Sequence, residues 1–272
     1  MKKILTAIVF LAACTVLSAG EKISDSAERI IQEFFTLRMN LSLIDSTDSP
    51  SEVIAAIEAF GEDNAEEISA FNEQEKLILE SFVLMEKYNY LYFYQSEKKG
   101  LKSLFAEHNK KLEKFFASND ESTFDKWMFC TRGDVISCSM AFSVSDVLKN
   151  GAAVKPLYEK ALALDPEFPY ALMNMGQWYY WAPGIAGGSK KKAVSWLEKA
   201  VASAKTPAEK YYACIFASQV YFELKNNGKC EEYLSQAEKC CPGSFYIAKI
   251  RNANKAGMSL FESNRKNSNV SD

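Results

Sequence analysis

The chain has 272 residues, of which 48% are apolar and 25% charged, with a formal net charge of −3. This supplies a real core for one elongated domain or two small ones, and with no basic stripe it argues against nucleic-acid binding. Twelve glycines and seven prolines are few for this length, and long Ala/Leu/Lys/Glu-rich segments point to an all-helical protein.

The N-terminus reads as an export signal over residues 1–20. Lys2 and Lys3 precede the apolar run Ile4–Leu11, which is too short for a membrane span. Two exits compete. Leu11-Ala12-Ala13-Cys14 resembles a bacterial lipobox, which implies a lipid on Cys14. Ser18-Ala19-Gly20 offers small residues for ordinary cleavage before Glu21. The first exit implies an envelope lipoprotein facing the periplasm and held to the membrane by lipid. The second implies a soluble periplasmic or secreted protein.

After a polar tether, residues 27–118 read as a divergent helical region. Ala27–Leu43 carries Ile30, Ile31, Phe34, Phe35, Leu37 and Leu41 at helical spacing. Ser49 is placed as the N-cap of the next helix, with Pro50 in its first turn and Gly61 at its end. A longer helix is predicted over Asn72–Glu97. Its aromatic run Tyr88–Tyr94 cannot all face one side, so some rings face the core and others a neighbour, a cavity or another subunit. Gly100 is read as a break. Leu101–Ala117 follows with Leu104, Phe105, Leu112, Phe115 and Phe116 inward. Asn119–Ser122 is predicted as a loop, helical repeats fill residues 120–263, and 264–272 is polar and expected to fray.

Within Ala153–Pro242 small and bulky residues recur at the spacing of a two-helix hairpin. Val154, Tyr158, Ala161 and Pro166 are followed by Leu172, Met175, Gly176, Tyr179, Ala193, Leu197 and Ala200. The order returns with Cys214, Ala217, Ser218, Tyr221, Cys230, Leu234, Ala237 and Pro242. Only a small side chain fits where antiparallel helices cross closely, and proline cannot continue the second helix. The pattern resembles the tetratricopeptide (TPR) family, whose unit is about 34 residues. Cys138, Ala141, Phe142 and Ser145 are assigned to a preceding first helix, with Phe142 bulky where a small residue is expected. The resemblance implies a right-handed superhelical array of antiparallel helix pairs. Gly176, Ala193, Ala200, Ser218, Cys230 and Ala237 would be its packing positions.

In that family the first helix of each hairpin lines a concave groove. The matching positions here are Tyr170, Met173, Gln177, Tyr180 and Trp181, then Tyr212, Ile215, Gln219, Phe222 and Glu223. The Lys, Arg and Asn of a carboxylate clamp are absent. An aromatic groove suits an apolar helix, a peptide or a small hydrophobic ligand, unless the C-terminal helix or the N-terminal helices of the same chain fill it. A looser resemblance is to the TPR accessory lipoproteins of TRAP-type solute transporters, carried by Cys14, the helices of 27–117 and the loop Pro183–Gly188. It implies docking of a periplasmic solute-binding protein, a bound hydrophobic solute and homo-oligomers.

The remaining motifs give no catalytic constellation, so the expected role is a non-catalytic scaffold without cofactor or metal. The single histidine, His108, is expected on an exposed polar face with no triad partner. The loop before Lys190 lacks the order of a phosphate loop; its glycines permit a turn and Ser189 caps the next helix. Arg132-Gly133-Asp134 lies in or beside a helix rather than in an adhesive loop. Cys130, Cys138, Cys214, Cys230, Cys240 and Cys241 match no zinc spacing, and buried free thiols are expected.

Overall fold

The computed structural model describes residues 22–45, 50–93, 95–142 and 144–269. Cys14, the whole predicted export signal and the predicted N-cap Ser49 lie outside these residues. Among the described residues there are thirteen α-helices and no strand.

The first described helices are α1 (Asp25–Leu41), capped by Ser24, then α2 (Ser51–Asp63) and the short α3 (Ala65–Ser69). The paired helices follow. They are α4 (Glu73–Leu91) with α5 (Gln95–Ser118), and α6 (Lys126–Ser139) with α7 (Val144–Leu164). Next come α8 (Pro169–Trp181) with α9 (Lys190–Ser203), and α10 (Pro207–Glu223) with α11 (Asn227–Cys240). The chain ends in α12 (Phe245–Lys255) and α13 (Leu260–Asn269). Each pair packs within itself, and α4 on α6, α7 on α8 and α9 on α10 join the pairs into a helical-repeat array.

Small residues hold the crossings. Gly176 lies so close to α9 that an added Cβ would sit 2.5 Å from Leu197 Cγ and 3.2 Å from the Ala193 carbonyl oxygen. Ala193, Ala200, Ser218, Cys230 and Ala237 are all buried. The preceding hairpin uses the same device at a residue the periodicity did not single out. Its first helix is α6, not the segment around Cys138–Ser145, and its crossing residue is Gly133, where a Cβ would stand 2.7 Å from the Tyr158 ring.

Several predicted boundaries move. Gly61 sits inside α2 and Gly100 inside α5, because a glycine with open space around it weakens a helix without ending it. The turn between α4 and α5 falls instead just after Leu91, within the aromatic run. There Tyr92 is buried and donates its hydroxyl to the Ala141 carbonyl (3.0 Å), while Phe93 is 43% exposed. Leu104 points outward at 52% exposure, since the buried stripe of α5 is Leu101, Phe105, His108 and Leu112. After the paired helices the chain turns at Gly257 (φ 82°) between α12 and α13, and the polar end, expected to fray, stays helical to Asn269.

Candidate functional site

The residues assigned to the groove lie on α8 and α10, and other segments of the chain pack against several of them. Tyr170, Met173, Ile215 and Gln219 are buried, and Gln177, Tyr180, Tyr212 and Phe222 are half-buried. Trp181 is 52% exposed. Two segments cover them.

The first is α1. One face of this helix, Ala27, Ile30, Ile31, Phe34, Phe35, Met39 and Leu41, is buried. Phe35 enters a four-ring cluster with Phe82, Trp127 and Tyr170, every centroid pair lying 5.1–5.6 Å apart. Arg38 lies over the rings of Phe35 and Tyr212 at 5.2 and 4.9 Å. Both ends of α1 are pinned. At the start, Ser24 N donates to Glu75 Oε1 (2.6 Å), Ile23 N to Asp125 Oδ2 (3.3 Å), and Trp127 Nε1 to Glu28 Oε2 (2.7 Å). At the finish, Ser244 Oγ donates to Ser42 Oγ (3.1 Å) and Tyr246 N to the Ser42 carbonyl (3.4 Å). The hollow left among Phe35, Trp127, Tyr170, Met173 and Tyr212 has a volume of about 10 Å³, room for one water at most.

The second is the start of α13. Phe261 packs on Tyr180 (4.2 Å between centroids), Trp181 (5.5 Å) and Phe216 (6.1 Å). The Leu260 amide donates to Gln219 Oε1 (2.7 Å). Glu223 accepts from Ser259 Oγ, Tyr180 OH and Lys190 Nζ, each at 2.6 Å. Burial alone would raise the Glu223 carboxyl; these donors hold it below its ordinary value.

Between α8 and α9 the loop is built rather than slack. Ser189 N donates to the Tyr179 carbonyl (2.7 Å), and Ser189 Oγ caps α9 by accepting from Lys192 N (3.3 Å). Gly187 has φ 96°, and a Cβ on Gly188 would stand 1.7 Å from the Ala182 carbonyl oxygen. This frame holds Ile185 fully in solvent, at 101% exposure.

Two polar clusters lie elsewhere. Asp134, at the end of the Arg-Gly-Asp tripeptide, is buried inside α6. It accepts from Tyr158 OH (2.7 Å), Tyr170 OH (2.7 Å) and Asn174 Nδ2 (2.8 Å), tying α6 to α7 and α8. Burial pushes its carboxyl up to about 6 against these donors.

His108, expected in solvent, is buried with its Nε2 2.7 Å from Ser81 Oγ and its Nδ1 3.7 Å from Glu80 Oε2. Serine, histidine and acid thus stand in the order of a hydrolase triad, which the spacing of the sequence alone does not assemble. The Leu77 carbonyl, 2.7 Å from Ser81 Oγ, is a second acceptor that competes with the imidazole for the hydroxyl proton. Burial, with Lys111 and Arg132 behind it and Glu80 opposing, lowers the imidazole pKa. Ser81 itself is fully buried. The Ser81–His108 contact bridges α4 and α5. Among the described residues no group of three His, Cys, Asp or Glu side chains is placed to hold a metal ion. Among them, too, no helix is long and apolar enough to cross a membrane.

No protein-family model matches this chain, and no curated protein matches it.

Proposed function

We propose that the chain is a non-catalytic scaffold of TPR type, a right-handed stack of hairpins held at the cell envelope by a lipid on Cys14. It recruits a protein partner at the rim of its aromatic groove. The reading is supported by the close Gly176 crossing and the chained hairpins. The observation that carries it is the exposure of Trp181 at the end of α8 (52%) and of Ile185 in the loop that follows (101%).

Magnitudes decide which part of the groove is available. Burying the seven apolar side chains of α1 is worth more than roughly 10 kcal/mol at 1.5–3 kcal/mol for each large one. No ordinary partner displaces that, so the Tyr170–Tyr212 half of the groove belongs to the core. The Tyr180–Trp181 half is covered by Phe261 at the start of α13, with Trp181 still 52% exposed.

The test is capture from chemically crosslinked envelopes with wild type and a Trp181→Ala/Ile185→Ser variant of unchanged melting temperature. A partner held by wild type is lost from the variant. Identical capture by both proteins removes this surface from consideration.

The transporter-accessory reading shares the surface, because the glycine loop behind that resemblance is the loop presenting Ile185. Its solute-holding half gains no support from the groove, whose residual hollow of about 10 Å³ accommodates no organic solute.

A further inference from the structure

Gln219 raises a question of its own. It is fully buried one turn before the end of α10, where an apolar residue would pack without cost. A buried amide is tolerated only when its polar atoms are satisfied. Its Nε2 donates to Ser218 Oγ (3.1 Å), and its Oε1 accepts the backbone amide of Leu260 (2.7 Å). The side chain is therefore matched to the main chain of a segment lying across it. One turn further along α10, Glu223 accepts the Ser259 hydroxyl, and that oxygen in turn accepts the Glu262 amide (3.1 Å) as the cap of α13. Tyr180, Trp181 and Phe216 close around the Phe261 ring. The site thus reads three successive features: a capping hydroxyl, an aliphatic residue whose amide is offered to a side chain, and an aromatic ring.

The segment now in this site is held by fewer buried side chains than α1. Its grip rests on Ser259, Leu260 and Phe261, whereas α1 buries seven apolar side chains. Residues beyond Phe261 rise to half-buried and then exposed, and Gly257 in the left-handed region provides a turn at which the segment can swing away.

We infer that Tyr180, Trp181, Phe216, Gln219 and Glu223 form a receptor for a helix start of the order hydroxyl–aliphatic–aromatic. A partner protein presenting such a segment docks there in place of α13. This rests on the reading of the chain as a partner-binding scaffold and supplies the partner's chemistry. The native α13 acts as an internal competitor, so wild type binds an external segment more weakly than a chain whose own segment has been blunted.

The probe is a synthetic peptide of residues 256–266, labelled with a fluorophore. Full-length protein carrying Leu260→Ala and Phe261→Ala is expected to bind it at one to one. Wild type is expected to bind at least ten-fold more weakly, since a tethered competitor acts at an effective concentration on the order of millimolar. Adding Gln219→Met to the double variant removes the amide acceptor and drops affinity by about ten-fold. A folded double variant that ignores the peptide overturns the inference. An exchange dimer of wild type, seen by light scattering, overturns it too, because the second occupant is then another copy of this chain. Should the double variant fail to fold, Phe261→Ala alone serves. Hydrogen exchange on wild type gives an independent reading: α13 must open without global unfolding, and exchange of its amides only with the whole chain refutes displacement. Peptide binding without a captured envelope partner faults the scaffold reading. A captured partner without peptide binding faults this one.

Discussion

Arg38 Nε donates to Glu86 Oε2 at 2.5 Å, joining the groove-filling helix α1 to α4 beneath the Tyr212 ring. The two side chains are 16% and 3% exposed. Burial opposes the Arg38 charge, but Glu86 overrides it and holds the guanidinium well above its ordinary pKa. Removing one partner strands a buried charge, which costs about 3–5 kcal/mol, whereas removing both leaves an apolar pair that packs. Glu86→Gln is therefore expected to lose most of that range in urea unfolding, and Arg38→Met with Glu86→Leu to lose less than the sum of the singles. A loss below about 1 kcal/mol for Glu86→Gln would show that the pair is solvated.

The glycines separate into two kinds with opposite mutational signs. At Gly176 a methyl group collides with Leu197 and the Ala193 carbonyl, so Gly176→Ala is expected to destabilise by about 1–3 kcal/mol. Because Leu197 is the colliding side chain, the penalty shrinks in a Leu197→Ala background, giving a non-additive double-mutant cycle. Gly61 and Gly100 lie inside α2 and α5 with nothing within 4 Å of an added Cβ. Alanine at either is expected to stabilise by about 0.5–1 kcal/mol, read from the shift in denaturation midpoint.

This contrast marks how far the sequence was legible. Gly176, Ala193 and Ala200 announced the hairpin crossings because steric demand at a close approach leaves a local signature. The faces of α1 and α8 were legible as apolar, but nothing in a periodic stripe states which surface will cover it, so the groove could be read as open or filled. The polar neighbours Glu107, Asn109 and Lys110 mask the burial of His108. The spacing Leu101, Phe105, His108, Leu112 places it on the buried stripe and was there to be used. Gln219 looked like a groove-lining amide because a side chain that accepts a backbone amide from 41 residues away has no local signal.

The six described cysteines are unpaired. Cys130, Cys214, Cys230 and Cys241 are buried, and Cys138 and Cys240 are half-buried. Burial pushes the Cys138 and Cys214 thiols up to about 12, so little thiolate forms at neutral pH. Burial also raises Cys240, but neighbouring Lys210 favours its thiolate. A short maleimide pulse on native protein at pH 8 is expected to label Cys240 first, with the buried thiols reacting only on unfolding. Peptide mass spectrometry would contradict this by locating the first adduct at Cys130 or Cys214, or by finding a disulfide.

Asp134 sets a pH dependence whose sign runs against that of ordinary surface carboxylates. Its reference pKa is 3.8 and its folded value about 6, because burial outweighs the hydroxyls of Tyr170 and Tyr158, the Asn174 amide and the more distant charge of Arg38. Below 3.8 the carboxyl is protonated in both states and its contribution is fully present. Between the two values the folded chain holds a proton that the unfolded chain has released, so stability falls as pH rises. Above 6 both states are ionised and the loss is complete. It amounts to about 3 kcal/mol, since each tenfold difference in proton affinity between the folded and unfolded chain is worth roughly 1.4 kcal/mol. Asp134→Asn cannot titrate. It is expected to cost about 1–3 kcal/mol at pH 4, where it disturbs the bonds to Tyr158 and Tyr170. The gap between wild type and variant should then narrow, or reverse, as pH rises to 7. Urea titrations of both proteins across that range measure the gap directly. A gap independent of pH would mean that Asp134 ionises in the folded chain as readily as in water, and that its hydrogen bonds to the two tyrosines carry the full cost of burying the charge.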